Sequence, residues 1–402
     1  MPRAAIDVTD LHGWGRLAFD ATLGLTGVVE AMHREIARAP GILAAPEPGP
    51  ARGIAGLAYA QIRGLTRLLR WGFDAAFALR APPAGERTAR SAEREAVRAV
   101  LNGVVGDHLA ATGNPLAIPL RLRRAGRPLV LERRALAAAI PRAGKRILVL
   151  VHGACMSDLR WRRHGHDHGA ALARELGWTP VYVHYNTGLH VSTNGRELAG
   201  ALEALCRAWP ARVDELAILG HSMGGLVARS ACHAGAAAGH RWPGRLRSIV
   251  FMGTPHHGAP LERGGSWVDA VLGVSPYTAP LARLGRIRSA GITDLRHGSL
   301  LEDDWEGRDR FLPGRERPRA VPLPAGVRCH AIAATVARAS ALTDRIVGDG
   351  LVPVDSALGR HRDPARTLAI PESRRWVARG VNHFDLLSDA AVYARIRRWL
   401  AQ

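Results

Sequence analysis

One serine, Ser222, lies in a sequence context that suits nucleophilic catalysis. It belongs to the segment Leu219-Gly-His-Ser-Met-Gly-Gly225, which follows an apolar run and precedes a predicted helix. In a sharp strand-to-helix turn, glycines two residues before and after the serine avoid clashes with neighbouring backbone and leave the hydroxyl accessible. A free hydroxyl is a weak nucleophile, so the segment predicts a general base elsewhere in the chain.

His383 is the strongest candidate for that base. It is the last of 18 histidines, and it lies between the strand-like segment Trp376-Val-Ala378 and a predicted final helix. Where a serine elbow of this kind carries a triad, the members follow in the order serine, acid, histidine. A histidine near the end of the chain satisfies that order, and its imidazole can take the serine proton.

The acid is expected between the serine and the histidine. Asp349 lies in Val347-Gly-Asp-Gly-Leu-Val-Pro353, after a predicted strand and a loop. Spacing alone leaves Asp344 and Asp355 as alternatives. A carboxylate at this position would accept the imidazole N–H, fix the tautomer and stabilise the imidazolium formed during attack.

Two backbone N–H groups are the third requirement, because they hold the negative charge that develops on a carbonyl oxygen. One such donor is worth about 3 to 4 kcal/mol of transition-state stabilisation. Met223, directly after the serine, is expected to supply one, and Ala154 the other from the loop after Val151. Cys155 is then expected to fill space beside the site and not to react. The neighbours expected without a catalytic role are His152, Gly153, Cys155 and His221.

Five motifs together resemble the bacterial lipase/esterase branch of the α/β-hydrolases. They are Val151-His-Gly153, Gly220-His-Ser-Met-Gly-Gly225, Gly253-Thr-Pro-His-His-Gly258, Gly348-Asp-Gly-Leu-Val-Pro353 and Asn382-His383. The chain is especially similar to the GPI-inositol-deacylase-like (PGAP1-like) hydrolases and to bacterial triacylglycerol lipases. This resemblance covers about residues 145–400 and does not extend to the N-terminal helices.

The resemblance assigns roles to residues that spacing leaves open. It implies that Asp349 is the triad acid and that Ala154 is an oxyanion donor. It implies that His256 and His257 shape the pocket beside the site without a catalytic role. It also implies a lid or cap over an acyl-binding groove, formed by an insertion at about 259–325. Apolar residues suited to the underside of this lid are Trp267, Val268, Val271, Leu272 and Val274.

The elements that must position these residues alternate between strand and helix. Continuous apolar runs suit strands buried on both faces of a parallel sheet; they lie at 146–151, 180–184, 216–219, 248–252 and 329–333. Helical segments between the first of them lie at 169–176, 195–209 and 224–237. A hairpin over 120–132 is predicted to turn at Ala125-Gly126. The pattern predicts an α/β class chain, with a mostly parallel sheet covered by helices on both faces, and a catalytic domain over 116–402.

Residues 1–115 are predicted to form a separate helical region. Apolar residues recur there at three- to four-residue spacing from Phe19 to Ile36 and again from Ile54 to Phe77, with arginines between them. Such stripes are typical of amphipathic helices. Two interpretations stay open: a layer packed on the catalytic domain, or a basic surface anchor that lies in a lipid interface.

The formal net charge of +20 does not indicate a nucleic-acid partner. All but one of the 55 basic residues are arginine, and they are scattered along the chain. No zinc-finger spacing, RNA-binding signature or Gly-rich phosphate loop accompanies them. A small-molecule ester or lipid is therefore the expected partner, with peripheral contact between the N-terminal helices and an anionic membrane left open.

Cysteine spacing and the N-terminal sequence point to a reducing compartment. The four cysteines show no CxxC pair, which argues against a zinc ribbon and a disulfide framework. The first residues lack the pattern of a secretory signal, and no apolar stretch is long enough to span a membrane. The expected location is the cytoplasm, with peripheral membrane contact as the variant.

One cluster lies outside the triad pattern, in His164-Gly-His-Asp-His168. Imidazole and carboxylate can ligate zinc, so a metal site is one interpretation and a polar loop near the site mouth is the other. No cofactor is predicted.

These patterns together predict a serine carboxylic-ester hydrolase, an esterase or lipase, that works through an acyl-enzyme. An acyltransferase or thioesterase with the same triad is the alternative. A catalytically silent membrane- or protein-binding scaffold is the alternative from another class, and the complete set of triad candidates argues against it.

Overall fold

The computed structural model describes residues 8–37, 53–78, 92–259, 289–307, 318–337 and 348–402. Contacts divide the chain into two units, residues 1–90 with 109–117 and residues 91–108 with 118–402.

The helices and strands are these. The helices are α1 Val8–Ala37, α2 Gly53–Ala78, α3 Ala92–Ala111, α4 Arg133–Ala139, α5 His168–Leu176, α6 Val191–Ala208, α7 Met223–Ala237, α8 Ala290–His297, α9 Val354–Ala357 and α10 Ala390–Leu400. The strands are β1 Arg121–Arg124, β2 Arg127–Pro128, β3 Arg146–Val151, β4 Thr179–His184, β5 Glu215–His221, β6 Leu246–Met252, β7 Arg328–Thr335 and β8 Arg375–Arg379. Short 3-10 turns lie at Asp158–Trp161, Trp242–Arg245, Glu302–Asp304, Pro364–Arg366, Glu372–Arg374 and Asp385–Leu387.

The second unit is built on a sheet with the strand order β2-β1-β4-β3-β5-β6-β7-β8. Strands β3 to β8 pair parallel with one another, and β1 pairs antiparallel with both β2 and β4. The predicted mostly parallel sheet and the helices between its strands are confirmed. The carboxyl ends of β3, β5, β6 and β7 therefore meet at one edge of the sheet, where ligands of open α/β sheets bind.

Two hydrophobic cores cover the two faces of this sheet. Along β3, Ile147, Val149 and Val151 belong to one core, whereas Leu148 and Leu150 belong to the other. This split follows from the two-residue period of a strand. Apolar residues of α6 and α7 complete the first core, and apolar residues of α5 and α10 complete the second.

The first unit contains two long helices that pair in opposite directions. Glu30 of α1 bonds to Arg63 of α2, and Asp20 bonds to Arg70. Nearer the start of α1, His12 stacks on Phe77 with ring centroids 4.9 Å apart. The predicted N-terminal helices are therefore confirmed, and ion pairs lie between them.

Most of α3 belongs to the same compact unit as the sheet, whereas the predicted helical region extends to residue 115. Polar groups join this helix to the rest of the unit. Glu95 accepts from Arg123 of β1 at 3.1 Å, and the carbonyl of Gly106 accepts from Asn186 at 2.9 Å.

The predicted hairpin forms with a shorter second strand. Ala125 and Gly126 both have positive φ, 48° and 73°, as the central residues of a type I′ turn do. Strand β2 ends at Pro128 and does not continue to Glu132, because the chain turns into α4 at Arg133.

The predicted lid insertion, 259–325, is described in part. Residues 260–288, which include Trp267, Val268, Val271, Leu272 and Val274, lie outside the described residues. Within the described part, α8 is held by Asp294, which accepts from the Val191 N–H at 2.9 Å.

Candidate active site

Ser222 lies in a strained turn between β5 and α7. Its φ and ψ are 53° and −126°, a conformation that non-glycine residues rarely adopt and that clusters at functional sites. Its N–H donates to the carbonyl of Met252 at the end of β6, at 2.8 Å. A Cβ at Gly224 would lie 2.1 Å from the carbonyl oxygen of Val151, so α7 can begin this close to β3 only with glycine there.

His383 and Asp349 form a buried hydrogen-bonded pair. The imidazole Nδ1 lies 2.6 Å from Oδ2 of Asp349, and both residues are 3% exposed. Oδ1 of Asp349 accepts from the N–H groups of Leu351 at 2.9 Å and Val352 at 2.8 Å. The carboxylate is thereby oriented, so Nδ1–H donates to it and Nε2 is left to exchange a proton.

The alternative acids have other positions. Asp355 lies in α9 with a side chain 47% exposed, and its carboxylate is 3.9 Å from the Arg360 guanidinium. Asp344 lies outside the described residues. Of the described candidates, Asp349 is the one that bonds to His383.

Ser222 and His383 each contact the segment at the end of β6. Met252 accepts from the Ser222 N–H, and a Cβ on the next residue, Gly253, would lie 3.0 Å from Cε1 of His383. His221 Nε2–H donates to the carbonyl of His383 at 3.0 Å, and the two rings have centroids 4.8 Å apart. The residue before the serine thus holds the backbone of the histidine.

The loop after β3 lies beside the serine and keeps one N–H free. A Cβ at Gly153 would lie 2.9 Å from the Ser222 Cβ, so the loop passes close to the elbow. The Tyr185 hydroxyl donates to the His152 carbonyl at 2.7 Å, and the Cys155 N–H donates to Thr187 Oγ1 at 3.0 Å. Within the described residues, the N–H of Ala154 makes no hydrogen bond.

The N–H of Met223 is the second free donor at the elbow. Met223 is the first residue of α7, and within the described residues its N–H has no acceptor. The first N–H groups of a helix lack partners inside it and carry the positive end of the helix dipole. The two predicted oxyanion donors therefore lie on segments beside Ser222, and neither N–H has a hydrogen-bond acceptor among the described residues.

Two buried histidines around the elbow are uncharged at neutral pH. Burial lowers the pKa of His221 well below its ordinary value, and the neighbouring His383 lowers it further. Burial also lowers the pKa of His152 to about 4, against a hydrogen bond to the Gly153 carbonyl that raises it. Both imidazoles are neutral at pH 7, so neither places a positive charge against the serine.

Cys155 follows Ala154 in the loop after β3. Its side chain is buried, and burial raises the pKa of its thiol to about 12. The thiolate, which is the reactive form of cysteine, is not populated near neutral pH.

Residues 144–322 match the family model described as "PGAP1-like alpha/beta domain". This match spans β3 to β6 and the elbow, on a sheet with the strand arrangement given above. The sheet unit has the α/β-hydrolase fold. A search of curated proteins finds no match for this chain.

Solved structures of bacterial and archaeal lipases and esterases resemble this α/β-hydrolase. The mature lipase of Bacillus licheniformis is 19% identical, over 63% of this chain and 91% of that one, with a TM-score of 0.39. An esterase of Pyrococcus furiosus is 12% identical, over 64% and 83%, with a TM-score of 0.37. An esterase of Thermogutta terrifontis is 16% identical, over 64% and 90%, with a TM-score of 0.34. At these values the similarities carry no argument about substrate.

His256 and His257 lie farther along the loop after β6. His256 is buried, with its ring edge on Phe251 and its Nδ1 3.4 Å from an Arg229 nitrogen. His257 has its ring 4.9 Å from that of His361. No hydrogen bond within the described chain joins either ring to Ser222 or His383, and both line a separate cavity.

The histidine cluster at 164–168 bonds to protein groups. His168 uses both ring nitrogens, one with His166 at 2.8 Å and one with the Leu386 carbonyl at 2.9 Å. Asp167 caps α5 through the Ala170 N–H at 2.8 Å. These contacts favour the interpretation of a polar loop, and they tie it to the segment that follows His383.

Sequence reasoning missed a buried ionic cluster formed by Glu95, Arg123, Asp158 and His184. Glu95, Asp158 and His184 each offer one atom that could bind a metal, and these three atoms lie within 4.8 Å of one another. The Arg123 guanidinium donates to Glu95 at 3.1 Å and to Asp158 at 2.7 Å, and so supplies the positive charge. No local sequence pattern predicts this cluster, because its members come from four separate segments.

Proposed function

We propose that this chain hydrolyses carboxylic esters through an acyl-enzyme on Ser222. The observations that carry the proposal are the buried 2.6 Å bond between His383 Nδ1 and Asp349 Oδ2 and the strained elbow that holds Ser222. An imidazole oriented this way is a general base whose tautomer is fixed, and the elbow presents the hydroxyl it would deprotonate.

In the first step, Ser222 Oγ attacks the ester carbonyl carbon while its proton passes to His383 Nε2. The N–H groups of Ala154 and Met223 donate to the oxyanion, each worth about 3 to 4 kcal/mol. The tetrahedral intermediate then expels the alcohol, which takes the proton from Nε2. This leaves an acyl ester on Ser222.

In the second step, water attacks the acyl carbonyl and gives one proton to His383 Nε2. The bond to Ser222 Oγ breaks, the serine regains that proton, and the carboxylic acid leaves. Asp349 stays ionised throughout and stabilises the imidazolium form of His383.

The decisive experiment compares Ser222→Ala with Ser373→Ala, a variant of an exposed serine outside the elbow. We expect the first to lose fluorophosphonate labelling and p-nitrophenyl ester hydrolysis and to unfold at the same temperature. The second should keep both activities. Native hydrolysis by Ser222→Ala would contradict the proposal, and product partition with added alcohols would reveal an acyltransferase.

We also propose that the first unit lies on an anionic lipid surface. Among its described residues, large apolar side chains of α2 are exposed: Leu57, Ile62, Leu65, Leu68, Leu69 and Trp71, the last at 71%. The opposite side of α2 faces α1 with Arg63 and Arg70, whose partners are Glu30 and Asp20. Exposure of the apolar face of α2 to water is unfavourable. Burial of that face in a lipid interface is favourable.

The net charge of +20 supports this choice of surface, because basic proteins are drawn to anionic lipid. Among the described residues, no helix has the length and apolar character of a membrane span. The contact we propose is peripheral, with α2 in the plane of the interface.

A further inference from the structure

A cavity of about 280 Å³ lies in the sheet unit. Its polar lining comes from Arg229 of α7, from His256 and His257 after β6, and from Arg366. Apolar walls are supplied by residues such as Leu300 and Leu368. It is called the Arg229 cavity below.

Arg229 is a buried cation without a carboxylate partner in the described part of the chain. It is 4% exposed, one nitrogen donates to the Val321 carbonyl at 2.6 Å, and Nε has no partner. Asp304, on a neighbouring segment, uses its oxygens on the N–H groups of Leu300 at 2.8 Å and Arg319 at 2.9 Å. A buried charge without an opposite charge beside it is destabilising, so the guanidinium is suited to receive an anion.

Among the described residues, three more nitrogen atoms from the lining of this cavity are buried without a hydrogen-bond partner. They are Nε2 of His256, Nε2 of His257 and Nε of Arg366. Because the Arg229 nitrogen can only donate, His256 Nδ1 at 3.4 Å must accept, and the hydrogen of the neutral ring is then on Nε2. His256 therefore offers an unused N–H donor.

The electrostatic surroundings are positive. Burial lowers the pKa of Arg229 to about 10, so it is protonated at neutral pH. Burial lowers the pKa of His256 well below its ordinary value, and Arg229 lowers it further. Burial likewise lowers the pKa of His257 to about 4. The rings are neutral donors or acceptors, and the charge of the cavity comes from arginine.

The geometry points to a binding site for an oxyanion on a small apolar body, an organic carboxylate or phosphate ester, in the Arg229 cavity. The guanidinium of Arg229, the N–H of His256 Nε2 and the guanidinium of Arg366 bind its oxygens. The apolar walls contact its carbon chain. This site is separate from Ser222 and does not depend on the function proposed for it.

Calorimetric titration of the full chain tests the site, with hexanoate, 1-hexanol and inorganic phosphate as probes. We expect hexanoate to bind and 1-hexanol, which has the same carbon chain without the charge, to bind at least about tenfold more weakly. Binding of phosphate as well would identify the oxyanion as the recognised group. Equal binding of hexanoate and 1-hexanol would overturn the assignment.

Variants localise the binding. Arg229→Met should weaken the binding of hexanoate at least about tenfold, because a charge-assisted hydrogen bond is lost. Arg247→Met, at an exposed position on β6, should leave that binding unchanged. Arg366→Gln, at a half-buried position, gives the same test if Arg229→Met fails to fold. Unchanged binding in Arg229→Met and Arg366→Gln would show that the anion binds elsewhere, whatever the activity at Ser222.

Discussion

Gly253 lies against the imidazole of His383, where an added Cβ would come within 3.0 Å of Cε1 and 3.1 Å of Nδ1. Its φ is +57°, so the position combines a left-handed backbone with the absence of a side chain. Gly253, the residue after β6, therefore limits where the His383 ring can lie, although it takes no part in the chemistry.

Gly253→Ala should displace the His383 ring and reduce kcat by about 10²-fold, because misplacement of a reacting group by about 1 Å costs that much. Gly239→Ala is the matched control. Gly239 has a φ of +65° and no atom within 4 Å of its added Cβ, so it carries the backbone cost without the ring contact. Ester hydrolysis and thermal unfolding are measured for both. Equal kcat in the two variants would show that the contact with His383 is unimportant.

Asp349→Asn should lower kcat by about 10⁴-fold with little change in KM, because the amide cannot hold the reactive tautomer of His383. The fold should survive, since the asparagine Oδ1 can still accept from the Leu351 and Val352 N–H groups. Asp355→Asn serves as the control at the alternative acid. If Asp355→Asn were the variant that abolished turnover, the assignment of the acid would be wrong.

The parts of the fold that the sequence predicts are those that depend on local pattern. The run at 146–151 is apolar at every position but the first, which is typical of a strand buried on both faces. The elbow at Ser222 was predicted because glycine spacing around a serine is a local steric requirement. The bond between His383 and Asp349 joins residues 34 positions apart, and spacing alone did not choose among three acids.

The features that the sequence did not predict depend on contacts between distant segments. Glu95 was assigned to the N-terminal region because α3 continues a helical pattern, yet its carboxylate bonds to Arg123 of β1. Arg229 looks like any arginine on a helix face, and its burial appears only once the segment that carries Val321 covers it. Charge burial is a property of the assembled fold and leaves no periodic signature.

Asp158 should make stability depend on pH in an unusual direction. Burial raises the pKa of Asp158 from 3.8 to about 6, against Arg123, which lowers it. Because the folded state then holds this proton more tightly than the unfolded state, the stabilisation is fully present below about pH 4 and is lost as the pH rises through 6. The loss is at most about 3 kcal/mol, at about 1.4 kcal/mol for each pH unit.

Asp158→Asn should remove the pH-dependent stabilisation that Asp158 provides. The difference in unfolding free energy between the native chain and the variant should therefore change between pH 4 and 6 and become constant above pH 6. Asp363→Asn, at an exposed carboxylate, is the control. Chemical denaturation at a series of pH values measures both. A constant difference across that range would mean that Asp158 titrates as an ordinary exposed carboxylate.

Contact with a lipid surface should depend on the exposed face of α2. The double variant Leu65→Glu with Leu68→Glu puts two charges on side chains that are 59% and 62% exposed, where folding should not suffer. Each leucine contributes about 1.5 to 3 kcal/mol when it is buried in an apolar medium, so flotation of the full chain with phosphatidylserine-containing vesicles should fall sharply. Ala137→Glu with Ala138→Glu, at exposed positions of α4, adds the same charge elsewhere and should float as the native chain does. Equal flotation of the two double variants would exclude this face as the lipid contact, and a change from dimer to monomer in the leucine variant alone would show that a second copy of the chain covers it instead.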